Sequence, residues 1–159
     1  MMIQLVRPTY QQLSFRKQLL SDKPTMAFNQ NWGGVIEFPE SRWKSWYEKW
    51  LCSTDDNYFY RYIYSEEEQA FIGETSYHRD AETFIYLCDI IIEAQFRGKG
   101  YGKETLKMLC ENAAKNGIYE LYDNISLDNP SVKLFLKTGF TEEYKTDEYV
   151  MLKKHLDYE

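Results

Sequence analysis

The chain has 159 residues, 43% of them hydrophobic and 28% charged, and its formal net charge is −6. These values indicate one domain over 1–159, and the net negative charge disfavours nucleic acid as a partner. No run of about 18 apolar residues is present to cross a membrane, and the N-terminus lacks a signal-peptide pattern. The three cysteines and the histidines His78 and His155 lack the spacing of a disulfide framework or metal site. We therefore expect a cytoplasmic protein without a metal, with both histidines at the surface.

Charge is distributed unevenly along the chain. Residues 51–93 hold 10 acidic and 2 basic groups, whereas the flanking segments are close to neutral or basic. An acidic surface attracts cations, so this segment favours a cationic small molecule as partner. Part of the excess is the run Glu66-Glu67-Glu68, which is typical of a solvated turn.

The hydrophobic pattern predicts strands and helices along the whole chain. Before residue 93 it predicts a strand, two helices and three strands, at residues 3–6, 10–20, about 39–50, 58–64, 70–78 and 83–92. After residue 100 it predicts a helix ending at Gly117, then a strand, a short helix and two strands, at residues 119–127, 130–138, 140–144 and 148–152. This order predicts an α/β fold with a mixed, mostly antiparallel central sheet of about seven strands and helices on both faces.

A glycine-rich turn joins the fourth predicted strand to the next helix, with the sequence Arg97-Gly98-Lys99-Gly100-Tyr101-Gly102. Glycine lets the backbone turn tightly and approach a ligand closely. The free N–H groups at the start of the helix, together with the helix dipole, then favour an anion. Nearby lysine and arginine side chains add positive charge, so the turn predicts a phosphate or pyrophosphate site.

Two familiar phosphate-loop patterns do not match this turn. The Walker pattern requires Ser or Thr where Glu104 stands, and the dinucleotide fingerprint requires Gly or Ala where Lys103 stands. The pattern Q/R-x-x-G-x-G/A, in contrast, fits Gln95 through Gly100, and it fits again from Arg97 through Gly102. This turn resembles the coenzyme A loop of the GNAT N-acetyltransferase superfamily.

A second segment extends the resemblance. Residues 128–140 contain an Asn, a short helix and a closing Gly-Phe, as in the second signature of the superfamily, so the resemblance covers about 83–140. It implies a sheet that splays between its fourth and fifth strands, with the pantetheine arm of coenzyme A lying in the gap. It also implies that a backbone N–H of the fourth strand stabilises an oxyanion on the substrate.

The resemblance implies acetyl-CoA as the co-substrate, without a metal. The residues expected to contact it are Ile90, Ile91, Ile92, Gln95, Arg97, Gly98, Lys99, Gly100, Tyr101, Gly102, Lys103, Asn129 and Phe135. Several also fit structural roles, since the three isoleucines suit a core strand. Asn129 likewise suits a helix N-cap ahead of Pro130.

The proton donor for the leaving sulfur departs from the superfamily pattern. Many relatives carry a Tyr at the position of Phe135, and Phe has no proton to give. A thiol with an ordinary pKa near 8.5 can leave as thiolate, so transfer remains chemically feasible. Water, Tyr144 or Tyr149 are alternative acids.

A protonated amine must lose a proton before it attacks, and carboxylates near the splayed strands are candidate bases. Asp89 is the strongest candidate because a carboxylate inside an apolar strand requires a partner, while Glu74 and Glu93 are alternatives. In the superfamily the first helices and their connection wall the acceptor site, which makes Trp32 and Phe38, with Glu74, candidate acceptor-pocket residues.

The sequence therefore predicts an N-acetyltransferase that moves an acetyl group from acetyl-CoA to a primary amine of a small molecule in a ternary complex. The alternatives are an enzyme that acetylates a protein or peptide, and an acyl-CoA sensor without catalysis. The sequence is compatible with a homodimer. A nucleotide kinase is disfavoured by Glu104.

Overall fold

A computed structural model describes residues 2–54 and 56–157. The strands in these ranges are β1 (Ile3–Val6), β2 (Tyr58–Ser65), β3 (Ala70–Arg79), β4 (Tyr86–Ile92), β5 (Glu120–Ser126), β6 (Thr141–Lys145) and β7 (Tyr149–His155). They form one sheet in the order β1-β2-β3-β4-β5-β7-β6. Only the β4–β5 pair is parallel, and the other pairs are antiparallel. The predicted mixed, mostly antiparallel sheet is confirmed.

Four α-helices cover the sheet, namely α1 (Leu13–Ser21), α2 (Trp43–Leu51), α3 (Tyr101–Lys115) and α4 (Ser131–Lys137). Short 3-10 turns lie at residues 30–32, 40–42 and 94–96. Helices α1 and α2 pack on one face, and α3 and α4 pack on the other. Within the described ranges, no helix combines the length and apolar character needed to cross a membrane.

The alternation of side chains along β4 separates these two faces. Cys88, Ile90 and Ile92 pack in the clusters that contain α3 residues. Ile91 packs with Leu13 and other residues of α1 and α2. Side chains two residues apart share a face of a strand, so Asp89 points to the α1–α2 face.

Strand β4 begins at Tyr86, although the pattern predicts a strand from residue 83. The preceding residues form a tight turn around Asp80, whose carboxylate accepts hydrogen bonds from the N–H of Thr83 at 2.9 Å and its hydroxyl at 2.8 Å. Phe84 adopts a left-handed φ of 64° in this turn. An Asp side chain that bonds to the backbone of following residues favours a turn over a strand, which explains the later start.

The sheet opens between β4 and β5. The two strands pair only at Leu87 with Tyr122, whereas β3 and β4 pair continuously from Gly73 to Arg79. Beyond Leu87 the main-chain groups of β4 that face β5 have no strand partner. The predicted opening between the fourth and fifth strands is confirmed, and it produces a gap between residues 89–92 and residues 123–126.

Candidate active site

A cavity of about 740 Å³ fills this gap and extends to the start of α3 and to α4. We call it the larger cavity. Most residues predicted to contact a cofactor line it, namely Ile90, Ile91, Ile92, Arg97, Gly98, Gly100, Tyr101, Gly102, Lys103, Asn129 and Phe135. Gln95 and Lys99 are placed differently. The Gln95 amide donates to Glu93 at 2.8 Å, and the Lys99 ammonium lies 2.8 Å from the carboxylate of Glu68.

The glycine-rich turn shapes one end of the larger cavity. Gly98 and Gly100 have left-handed φ values of 79° and 88°, which L side chains rarely adopt. A Cβ on Gly98 would meet no atom within 4 Å, so the turn leaves open space for a ligand there. The first helical bond of α3 runs from the Glu104 N–H to the Gly100 carbonyl, so the preceding N–H groups are available for an anion.

Arg97 holds the backbone beneath this turn. Its Nε donates to the carbonyl of Ile92 at 3.0 Å, and its Nη2 donates to the carbonyl of Thr25 at 2.7 Å. Thr25 in turn accepts from the Ala94 N–H at 2.9 Å through its hydroxyl. Burial lowers the pKa of Arg97. Arg97 therefore joins the connection after α1 to the end of β4. The neighbouring cation Lys103 also lines the larger cavity.

Asn129 and Phe135 lie in the α4 region of the larger cavity. The Asn129 side-chain oxygen accepts from the Ser131 N–H at 2.9 Å, so this residue caps the start of α4 as its sequence position predicts. Phe135 is 2% exposed and packs edge-to-face on Phe140, with ring centroids 4.9 Å apart. The aromatic wall here is apolar and supplies no proton.

A second cavity of about 200 Å³ lies on the α1–α2 face of the sheet. We call it the smaller cavity. Its own lining residues come from α1, α2, β2 and β3, and they are Arg16, Trp46, Trp50, Tyr60, Glu74 and Ser76. It shares four residues with the larger cavity, namely His78, Leu87, Cys88 and Asp89. The two cavities therefore adjoin at Asp89.

Asp89 is a titratable group at the junction of the two cavities. Its side chain is open to solvent through the cavities, although protein atoms surround it closely. Burial, followed by the negative charge of Glu74, raises the pKa of Asp89 to about 7. A base with a pKa near the working pH accepts a proton efficiently, and such perturbed groups concentrate at functional sites.

Glu74 forms a buried polar cluster with Tyr60 and Arg16. It is 4% exposed, and its Oε1 accepts from the Tyr60 hydroxyl at 2.5 Å. The same oxygen lies 3.4 Å from the Arg16 Nε. Burial, with the charge of Glu74 next, raises the pKa of Tyr60 well above its ordinary value. Of the acidic residues in 51–93 that the structure describes, only Glu74 and Asp89 line a cavity, so most of that charge excess lies outside the candidate site.

The other residues predicted near the acceptor occupy different places. Trp32 is 45% exposed and lines the larger cavity. Phe38 lies in the core instead, because its carbonyl accepts from the Trp43 indole at 3.0 Å and its ring packs against that side chain. Tyr144 is 48% exposed on β6 beside Tyr149, and neither tyrosine lines a cavity.

Many other residues line the larger cavity without having been singled out from the sequence, and three of them carry polar groups that bear on the chemistry. Burial, followed by the charge of Asp89, raises the pKa of Asp123 well above its ordinary value. The Oδ1 atom of Asn124 is buried without a hydrogen-bond partner among the described residues. His78, expected at the surface, is half-buried between the two cavities, and burial lowers its pKa. Asp123 could have been found from the sequence, because it is a carboxylate within a predicted strand, as Asp89 is.

Solved structures of N-acetyltransferases share this fold. The spermidine N-acetyltransferase of Vibrio cholerae, in complex with CoA and spermine, has a TM-score of 0.78 at 16% identity, with 97% of this chain and 95% of that chain covered. An N-acetyltransferase of Staphylococcus aureus Mu50 has a TM-score of 0.78 at 16% identity, covering 99% and 100%. The PaiA N-acetyltransferase of Thermoplasma acidophilum, in complex with coenzyme A, has a TM-score of 0.66 at 15% identity, covering 98% and 99%. At these identities the similarity shows the fold.

The sequence itself matches the model of the acetyltransferase (GNAT) family over residues 6–140. This match includes both signature segments and most of the chain. The protein belongs to the GNAT acetyltransferase family, and the resemblance seen in the glycine-rich turn is confirmed. The sequence has no significant match among curated proteins.

Proposed function

We propose that the protein is an N-acetyltransferase that moves an acetyl group from acetyl-CoA to a primary amine of a small molecule, by direct attack in a ternary complex. The observation that carries this proposal is the meeting of the two cavities at Asp89. In this proposal the larger cavity holds acetyl-CoA, and the smaller cavity holds the acceptor. Its volume of about 200 Å³ favours a small acceptor over a protein segment, because drug-sized ligands occupy about 300–1,000 Å³.

Acetyl-CoA supplies an acetyl thioester whose carbonyl carbon the amine attacks. The lining of the larger cavity fits this substrate in three respects. The open turn at Gly98 and the start of α3 suit a pyrophosphate. The unpaired main-chain groups of β4 suit amide groups, as a neighbouring strand would. The buried Oδ1 of Asn124 suits an N–H donor from the ligand.

Asp89 accepts the amine proton in the proposed reaction, directly or through one water. The new bond joins nitrogen to the acetyl carbon, and the carbon–sulfur bond breaks. Asp123 then supplies the proton that the sulfur takes up, since its raised pKa favours the protonated form and it lines the same cavity. This assignment replaces Tyr144 and Tyr149, which lie outside both cavities. The buried free thiols Cys88 and Cys110 accord with a reducing compartment, so we place the reaction in the cytoplasm.

A transfer assay tests the proposal. The protein is incubated with acetyl-CoA and with polyamines, aminoglycosides, amino acids or short peptides, and both the released thiol and the acetylated product are measured. We expect turnover of at least one small amine, with no acetylated protein accumulating when the acceptor is omitted. Failure to bind acetyl-CoA would contradict the proposal at its first step.

A second candidate function is an acyl-CoA sensor, and Phe135 is the observation that favours it, because the aromatic wall at α4 carries no hydroxyl. The same assay separates the two functions. Tight binding of acetyl-CoA without transfer to any amine in the panel would identify a sensor. Catalytic turnover would exclude that alternative.

A further inference from the structure

We propose that the acceptor is a small amino acid, whose carboxylate binds the guanidinium of Arg16 while its amine lies at Asp89. This inference rests on the proposed function and names the substrate class of the smaller cavity. Arg16 and Asp89 carry opposite charges at separate positions of that cavity, beside the buried Glu74, and a zwitterion complements both of them.

Arg16 is held rigidly with donors to spare. Its guanidinium lies over two adjacent aromatic rings, 4.5 Å from the centroid of Phe38 and 4.4 Å from that of Trp46. The side chain is 15% exposed and lines the smaller cavity. Its buried Nε has no hydrogen-bond partner among residues 2–54 and 56–157. Buried polar groups are normally paired, so this guanidinium suits an acceptor from a ligand.

Glu74 does not fill this role. Its Oε1 accepts from the Tyr60 hydroxyl, and the same atom lies 3.4 Å from Nε without forming a hydrogen bond. The paired, two-bond geometry that arginine forms with carboxylates is therefore still available at the outer edge of the guanidinium. Glu74 offsets the charge of Arg16 from the side, and the outer edge remains free for a second carboxylate.

The spacing along the sheet suits an α-amino acid. Ser76 lies opposite Asp89 in the β3–β4 register. Glu74, whose carboxylate lies 3.4 Å from the Arg16 Nε, is two residues further along β3, about 7 Å from Ser76 at the rise of a strand. Asp89 and Arg16 are therefore offset along the sheet, with space between them for a small zwitterion.

The walls of the smaller cavity disfavour a polyamine. Trp46, Trp50 and Tyr60 surround a volume of about 200 Å³, which suits one compact molecule with an apolar side chain. A protonated polyamine offers the Arg16 guanidinium no hydrogen-bond acceptor, so the arginine donors would remain unpaired.

Matched pairs of acceptors test the inference on the unaltered protein. The twenty common L-amino acids, their α-amides and spermidine are compared as acceptors by kcat/KM at saturating acetyl-CoA. We expect the best amino acid to exceed its own amide by about 100-fold or more, because the amide lacks the charged partner of Arg16. An amide or spermidine that is acetylated as well as the best amino acid would overturn the inference while leaving the proposed function intact.

Variants then locate the effect. Arg16→Met should reduce kcat/KM for the best amino acid by about 100-fold and for its amide by less than about threefold, so that the preference is lost. Arg61→Met is the matched control, because Arg61 also stacks on a ring, 4.4 Å from Phe59, but lines neither cavity. The double variant Arg16→Met/Glu74→Gln removes the buried pair together, in case Glu74 left alone prevents folding.

Calorimetry with the CoA-bound protein distinguishes a failure of this inference from a failure of the proposed function. Amino-acid binding that Arg16→Met abolishes would support the inference even without transfer, and would then contradict only the proposed catalysis. Transfer to amines that Arg16→Met leaves unchanged would contradict only the inference.

Discussion

The two cavities are built in different ways. The larger cavity is formed mainly by backbone: a glycine-rich turn, the start of α3 and the unpaired edge of β4. The smaller cavity is formed by side chains from α1, α2, β2 and β3. Main-chain groups recognise the constant chemical groups of a cofactor, such as phosphates and amides. Side chains determine which acceptor fits. Under the proposed function, the donor site is therefore formed by the folded main chain and the acceptor site by a few exchangeable side chains.

The pH dependence of transfer has the largest expected effect and tests Asp89 at the junction of the cavities. Its pKa is raised to about 7, and only the ionised carboxylate accepts a proton. We expect kcat/KM to rise about 100-fold from pH 5 to a plateau above pH 8. Asp89→Asn should lower the plateau by about 100-fold or more and remove this rise, with acetyl-CoA affinity unchanged. A profile that keeps its midpoint near 7 in the variant would place the base elsewhere.

The next prediction concerns the backbone of the larger cavity. Gly98→Ala places a side chain at a φ of 79°, where the strain is about 1–2 kcal/mol, and fills space proposed for the ligand. We expect the Kd of acetyl-CoA, measured by calorimetry, to rise about 10-fold or more. Gly33→Ala is the control, because Gly33 has a φ of 101° and also no atom within 4 Å. Equal losses of affinity in both variants would show that strain alone is responsible.

Asp123 tests whether the larger cavity also supplies a proton. Asp123→Asn should lower kcat several-fold above pH 8, where solvent protons are scarce, with little effect at pH 6.

The raised folded-state pKa of Asp123 also predicts a change in stability. The native contribution is fully present below the ordinary Asp pKa near 4 and is lost as pH rises through the folded pKa. The variant should therefore gain a few degrees in Tm at pH 8 and little at pH 4. Unchanged Tm at both pH values would contradict this assignment.

Lys99 has the smallest expected effect. Its ammonium pairs with Glu68 at an exposed position and does not line the larger cavity. We expect Lys99→Ala to change the Kd of acetyl-CoA by less than about twofold, as is typical for an exposed ion pair. Lys103→Ala, which removes a charge that does line the cavity, is the comparison and should weaken binding more. The reverse order would mean that Lys99 swings to the ligand.

The larger cavity was readable from sequence because its parts are local. Each of its two signature segments is continuous in sequence, namely Gln95 to Gly102 and Asp128 to Phe140. Their glycine, proline and asparagine residues predict the local backbone conformation directly. The order of helices and strands along the chain followed from hydrophobic periodicity in the same way. The later start of β4 was missed because the turn chemistry of Asp80 competed with a β-rich stretch.

The smaller cavity was not readable in this way. Arg16, Tyr60 and Glu74 are separated by up to 58 positions and meet only when α1 packs on β2 and β3. Nothing in the local pattern around Arg16 distinguishes it from a surface arginine. Phe38 illustrates the converse, since the family resemblance placed the connection between the first helices at the acceptor site, while the Trp43 indole holds Phe38 in the core.

The contacts of Arg97 bear on how the protein can be redesigned. Because this one side chain joins the connection after α1 to the end of β4, substitutions between residues 22 and 26 will disturb the glycine-rich turn of the larger cavity. Trp46 and Trp50 have no such link to the glycine-rich turn. A library intended to alter acceptor choice should therefore vary the two tryptophans and keep the residues around Thr25 constant.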